Sequence, residues 1–323
     1  MTTGPIFYAR NNKKSRIKKN GIITEDSMNM FLQNIFTDEE SKGWLPWGIL
    51  APFLAFAILA GALVGGGAVL KPFGLVDNAH NHIGPIGLFA KLITSFGIAG
   101  LLTTLWIKRI EKRSLSSVGM NTNQPIRTFA GGHLIGIAMM ATIILVIWLL
   151  GGYEIDMIAP AFSDPTSLRY IFLLLLGFGI QSSVEELIFR GWLLSVLTRK
   201  FNLLTGVIAS SALFTLMHFN PVNPWYDNIL FMIFSLFACA WVIRTGNIWG
   251  VMGWHAGWNW FTATGFELPI TGLETETPAL LIQLKPVGDR MLHGGNTGPE
   301  GSLVCMIALA IGALYLMRPK LAS

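Results

Sequence analysis

YIFLLLLGFGIQSSVEELIFRGWLLSVL, residues 170–197, is an apolar run whose only charges are Glu185, Glu186 and Arg190. A helix needs ~20 such residues to cross the hydrocarbon of a bilayer. The run is therefore read as a membrane helix, and one too long for a simple crossing. Seven further apolar runs flank it: Trp47 to Leu70, Ile86 to Ile107, Phe129 to Leu150, Leu203 to Phe219, Asn228 to Ile243, Ile248 to Phe266 and Leu303 to Met317. No pattern of strand alternation competes with them, so the class expected is all-α: a polytopic helical bundle of about eight spans.

The composition agrees. Hydrophobic residues make up 52% of the 323 and charged residues only 13%, which is too apolar for an ordinary soluble domain. The formal charge of +5 is no argument for a nucleic-acid partner, because the basic residues sit beside the apolar runs. Cys239 and Cys305 lie within those runs without CxxC spacing, so neither a disulfide framework nor a thiolate metal site is indicated.

The basic residues also orient the chain. They gather in the N-terminal arm (Arg10 to Lys19, and Lys42) and in alternate connections, at Lys108, Arg109, Lys112, Arg113, Arg127, Arg199, Lys200, Arg244, Arg318 and Lys320. The opposite side holds Lys71, Arg169, Lys285 and Arg290. The positive-inside rule then puts both termini in the cytoplasm. Residues 1–44 read as a polar cytoplasmic arm, 45–323 as the transmembrane domain, and 267–302 as an acidic external loop. Gly61 and Gly65 have the Gly-x-x-x-Gly spacing that suits close helix packing, assigned here to the bundle.

Three polar islands interrupt this hydrophobic sequence: Glu185-Glu186-Leu-Ile-Phe-Arg190, Phe214-Thr-Leu-Met-His218 and His255-Ala-Gly-Trp-Asn259. An ionisable side chain at hydrocarbon depth costs about 2.5–3.5 kcal/mol or more, so each island is a candidate site. Glu186 and Arg190, four apart, share a helix face and pair. Glu185 points ~100° away without that partner, as a candidate proton acceptor or metal ligand. Counting ~1.5 Å per residue from the flanking turns brings Glu185, His218 and Asn259 to similar depth, with His255 one turn from Asn259. A carboxylate, two imidazoles and a carboxamide at one level suit hydrolysis. Glu185 can take a proton from water, His218 and His255 either bind a divalent metal or stabilise an oxyanion, and Asn259 is a donor that keeps its protons. The His-Glu-x-x-His helix of zinc proteases and a Gly-x-Ser-x-Gly elbow are both absent. Aromatics around the third island, Trp249, Trp254, Trp258, Trp260 and Phe261, suit either a lipid-facing groove or interfacial packing. Lys91 and His133 are read as isolated residues near span ends, and His80 and His82 as part of a solvated loop.

Glu185-Glu186-x-x-x-Arg190, Phe214-x-x-x-His218 and His255-x-x-x-Asn259, in that order on separate helices, resemble the CAAX-protease and bacteriocin-processing (CPBP, Abi) family of intramembrane endopeptidases. The resemblance spans a core of about 167–266, with a softer echo in Arg113-Ser-Leu-Ser-Ser-Val-Gly119. It implies an eight-helix membrane hydrolase whose eukaryotic members remove the last three residues of prenylated proteins. It further implies that Glu185 activates water, that His218 and His255 are metal ligands or electrostatic supports, that Asn259 helps hold the oxyanion, and that Glu186 and Arg190 brace the site. Glu185, His218 and His255 would suffice for an open three-ligand zinc site, and the reading leans towards a metalloprotease over a metal-free base. The expected partners are a peptide or protein substrate and the lipid bilayer, in a bacterial cytoplasmic membrane. The rival reading is a non-proteolytic immunity protein or proton-coupled transporter that keeps the same polar cluster.

Overall fold

A computed structural model describes residues 40–221 and 224–318. Helices stand at all eight expected places. They are α1 (Leu50–Leu70), α2 (Gly84–Leu105), α3 (Pro125–Leu149), α4 (Pro165–Lys200), α5 (Leu203–Met217), α6 (Trp225–Thr245), α7 (Trp249–Trp260) and α8 (Leu303–Leu316). Among the described residues, five stretches are long and apolar enough to cross a membrane: α1 and α2 with the turns that extend them, α3, α4 and α6. This is a helical membrane protein. The expected eight crossings are not matched in length, since α5 and α8, at 15 and 14 residues, are shorter than the hydrocarbon is thick.

The helices are not quite the whole fold. A two-stranded antiparallel ribbon pairs β1 (Tyr153–Ile158) with β2 (Ile282–Pro286). It ties the connection after α3 to the 267–302 loop. The ribbon, and a 3.9 Å approach of His82 to Glu276, gather the connections around 76–82, 150–164 and 266–302 at one end of the bundle. Gly43 and Trp44 bond the carbonyls of Glu111 and Ile110, Ile248 bonds Gly119, and Arg244 bonds the carbonyl of Arg318, all at the other end. The last residues of the expected arm thus dock on the end of α2, while its basic residues up to Lys19, like Lys320, lie outside the described residues. Arg113 does not serve as a free basic residue of that end. It is buried against Glu111 at 2.6 Å, and Glu111 also accepts from the indoles of Trp106 and Trp192.

α7 sits at the centre. Every residue from Gly250 to Asn259 is buried, so this helix has no lipid face. Its place is fixed by glycine. A Cβ on Gly253 would fall 1.9 Å from the carbonyl oxygen of Phe129, and one on Gly257 would fall 2.2 Å from that of His133. In return Gly132 and Gly136 of α3 lie against the carbonyls of Gly250 and Trp254. Two Gly-x-x-x-Gly faces thus bring the backbones of α3 and α7 together, as small residues allow in membranes. Gly61 and Gly65, expected to do this, have nothing among the described residues within 4 Å of a Cβ position. The packing glycines of α1 are the next two, Gly66 against Ser95 and Gly67 against His80.

α4 is α-helical over Pro165–Glu186, π-helical over Leu187–Leu193 and α-helical again over Leu194–Lys200. Such a π insertion is frequent at functional sites, where it re-aims side chains within an otherwise regular helix. Ser210 of α5 donates to the carbonyl of Phe189 within that segment.

Candidate active site

Glu185 and Glu186 occupy the last turn of α4 before the π insertion, and both are buried. Helical spacing separates them as expected, but Glu186 does more than brace Arg190. Its Oε1 accepts from Arg190 Nη1 at 3.0 Å and meets His255 Nδ1 at 2.9 Å. One carboxylate oxygen therefore joins two helices. Because a carboxylate only accepts, the proton of that contact belongs to Nδ1, and the other ring nitrogen of His255 is left for chemistry. His255 Nε2 stands 3.8 Å from Glu185 Oε2, a buried oxygen with no hydrogen-bond partner among the described residues.

Arg190 is fully buried, with its guanidinium 4.2 Å from the centre of the Phe214 ring. A buried cation over an aromatic face is stabilised by the ring quadrupole as well as by its carboxylate. The carbonyl of the same Phe214 accepts from His218 Nδ1 at 2.8 Å, and the two rings lie 4.3 Å apart. The spacing Phe214-x-x-x-His218 is thus explained at both ends. His218 itself caps α5 rather than lying within it, and its contact with a carbonyl assigns the Nδ1 proton and leaves Nε2 an acceptor in the neutral ring.

Asn259 does not stand level with Glu185. Its Nδ2 donates to Gln181 Oε1 at 3.1 Å and to Ser182 Oγ at 3.4 Å, one turn earlier on α4, while His255 meets the glutamates. Gln181 escapes a sequence reading that looks for ionisable residues, although it lies four residues before Glu185 on the same helix face. A cavity of about 240 Å³ is lined by Gln181, His218, His255 and Asn259. From there it reaches α2 and the 267–302 loop, at Lys91, His82, Thr271 and Glu300.

Glu300, within the 267–302 loop read as external, is a second group that the sequence reading did not bring to the site. It is buried, accepting from Trp258 Nε1 at 2.7 Å and from the backbone and hydroxyl of Thr271 at 2.8 and 3.0 Å. Burial holds its carboxyl above the ordinary range, against the lowering pull of those donors. Trp254 and Trp258 are fully buried around Phe234, so they pack the core and line no lipid-facing groove. His133 is stacked between Phe129 and Trp260, as its packing reading expects.

The donor set bears on a metal. Among the described residues, no group of three or more His, Cys, Asp or Glu side chains is arranged to hold an ion. As built, Glu185, His218 and His255 do not fit the three-ligand site expected of them, and no chemical step is derived through a metal.

A helical membrane protein with a buried carboxylate, imidazole and carboxamide cluster opening into a cavity is the class that fold and site define. Residues 167–261, from the start of α4 to the end of α7, match the family described as type II CAAX prenyl endopeptidase Rce1-like. The match bears out the resemblance to the CAAX-protease and bacteriocin-processing family and supports a CAAX-protease-type membrane endopeptidase at the family level. No curated protein and no solved structure matches the chain.

Proposed function

We propose that this protein is an intramembrane endopeptidase in which Glu185 is the general base. The observation that carries the reading is the facing pair of Glu185 Oε2 and His255 Nε2, 3.8 Å apart, beside the cavity that His255 lines together with Gln181, His218 and Asn259. That spacing is too long for a direct hydrogen bond, and it suits one water held by both groups at ~2.8 Å each. Glu185 takes a proton as the water oxygen attacks the peptide carbonyl carbon. Asn259 Nδ2 holds the Gln181 side chain by its oxygen, and the Gln181 amide supplies N–H donors for the oxygen that becomes negative. As the C–N bond breaks, Glu185 returns the proton to the leaving nitrogen, so the carboxylate is regenerated and no net proton is consumed.

Glu186 holds His255 in one tautomer and is itself neutralised by Arg190. His218 presents an acceptor nitrogen to the same cavity, where it can orient the water or the incoming N–H. The reading needs no metal. By the positive-inside rule the end bearing Lys108, Arg109, Lys200 and Arg244 faces the cytoplasm, so the cavity opens towards the opposite side of the membrane. A bacterial cytoplasmic membrane is the proposed location. The test is cleavage of membrane-anchored or isoprenylated peptides by purified protein. Wild-type protein cuts them, and Glu185→Gln, His218→Ala and His255→Ala do not while remaining folded.

A further inference from the structure

Ala141, Leu145 and Trp148 of α3 follow one another by four and three residues, so they share one face of the helix. That face lines a groove of about 290 Å³ whose other wall is the ribbon, through Ile155, Ile282 and Leu284. Alternation along β2 sends Ile282 and Leu284 into the groove and Gln283 and Lys285 to the opposite face, where Lys285 pairs with Asp156 at 2.7 Å. All side chains that line the groove are aliphatic or aromatic. None of them lines the cavity beside Glu185 and His255.

The depth of the groove points to its occupant. α3 is one of the stretches long enough to cross a membrane, and its end near Arg127 faces the cytoplasm by the positive-inside rule. Ala141 lies eight residues before Leu149, the last of the helix, so the groove reaches ~12 Å inward from the non-cytoplasmic end at ~1.5 Å per residue. That is within the depth of one leaflet's acyl chains, given a hydrocarbon core ~30 Å thick. Trp148, at the outer end, stands at the headgroup level where Trp is enriched. Leu145 and Ile155 are about half exposed, so the groove is open to the bilayer. Water finds no hydrogen-bonding partners along such walls, and the surrounding medium is hydrocarbon.

The ribbon's position is carried inward by two backbone hydrogen bonds. Leu280 N donates to the carbonyl of Thr264 at 2.7 Å, and Leu281 N to that of Gly265 at 3.0 Å. Thr264 and Gly265 belong to the π-helical turn that continues α7, the helix of His255 and Asn259. Phe266, the next residue, itself lines the groove.

We propose that this groove holds one acyl chain of a phospholipid from the non-cytoplasmic leaflet, as a structural lipid wedged between α3 and the ribbon. The site does not depend on the endopeptidase reading. All of its residues lie outside the matched stretch 167–261. A chain seated between two walls gains about ten close carbon contacts over one lying on a convex helix, which corresponds to roughly tenfold in occupancy.

The test uses purified full-length protein in nanodiscs of phosphatidylethanolamine and phosphatidylglycerol that carry a phospholipid with a diazirine in its acyl chain. After irradiation, labelling mapped by mass spectrometry should be roughly tenfold denser at Leu145, Trp148 and Ile155 than at Ile307, Ile311 and Leu314, the exposed face of α8. Ala141→Phe, whose ring fills the groove, should bring the two faces to parity, with Leu145→Trp standing in if that variant does not accumulate. Equal labelling of the two faces in wild-type protein overturns the proposal, as does a groove density that survives the filling substitution. Excess isoprenylated peptide should leave the groove labelling unchanged, and its displacement of the label would make the groove a substrate site and overturn the structural lipid. Hydrogen exchange reads the wedge itself. Replacing lipid by a rigid steroid-bodied detergent should speed exchange at the Leu280 and Leu281 amides in wild type and not in Ala141→Phe, where the ring stands in for the chain. Wild-type exchange that is the same with and without lipid also overturns the proposal. None of these readouts involves cleavage, so they hold or fail separately from the endopeptidase reading.

Discussion

Glu186→Gln is the perturbation whose consequences divide most cleanly. The native carboxylate oxygen serves both Arg190 and His255, with Glu186 and Arg190 fully buried. Removing its charge leaves the Arg190 guanidinium uncompensated in the core, which costs about 3–5 kcal/mol when a buried pair is broken from one side. The glutamine oxygen keeps one ordinary hydrogen bond worth about 1 kcal/mol, so the net loss is about 2–4 kcal/mol. That lies below a typical folding stability of about 5–15 kcal/mol, and the variant should still fold. Adding Arg190→Met removes the stranded cation, and replacing both partners by groups of similar volume is often close to neutral. The double variant should therefore recover most of the loss, with a coupling energy of about 2 kcal/mol or more. Activity should not follow stability. His255 loses the carboxylate that fixes its tautomer in both variants, and loss of such an orienting partner lowers activity roughly 10- to 100-fold. Reversible unfolding in mixed micelles reads the first quantity, and kcat/KM on a cleaved peptide reads the second. A double variant no more stable than Glu186→Gln, or one whose activity returns with its stability, would refute the shared role of this oxygen.

Two further outcomes are expected. Gly253→Val drives a side chain into the carbonyl of Phe129 and should destabilise the protein by on the order of 3 kcal/mol, whereas Gly61→Val, facing open space, should move it by less than about 0.5 kcal/mol. Chelation should leave activity unaltered and metal analysis should show no stoichiometric ion, because among the described residues no three His, Cys, Asp or Glu side chains are arranged to hold one. A metal retained at one per chain and required for turnover would reinstate the three-ligand site.

Hydrophobic run length located all eight helices, because a membrane span is dictated by local sequence. Helical periodicity also separated Glu185 from Glu186 correctly. What lay beyond reach depends on which helix comes next in space. The 61/65 and 253/257 glycine pairs have the same spacing, yet only the second meets a backbone. Glu186 was legible as a partner of Arg190 four residues on, but its contact with His255 crosses to α7, 69 residues away. The depth count assumed regular helices. The π insertion after Glu186 and the position of His218 at the end of α5 set His255, not Asn259, beside the glutamates. Tyr153-Glu-Ile-Asp-Met-Ile158 does alternate, but six residues beside a membrane helix are too few to stand out as a strand. Lys91 looked like a span-end residue until the register of α2 on α4 put it on the cavity wall.

The claim that Glu185 activates water is tested most directly by single-turnover cleavage with purified Glu185→Gln protein, whose unfolding midpoint is checked against wild type. A lost general base lowers the chemical step by about 10²- to 10⁴-fold, and that is the drop expected with binding of the peptide retained. Cleavage by the folded Glu185→Gln protein within about threefold of wild type would contradict the account, since that is far less than removal of a general base allows.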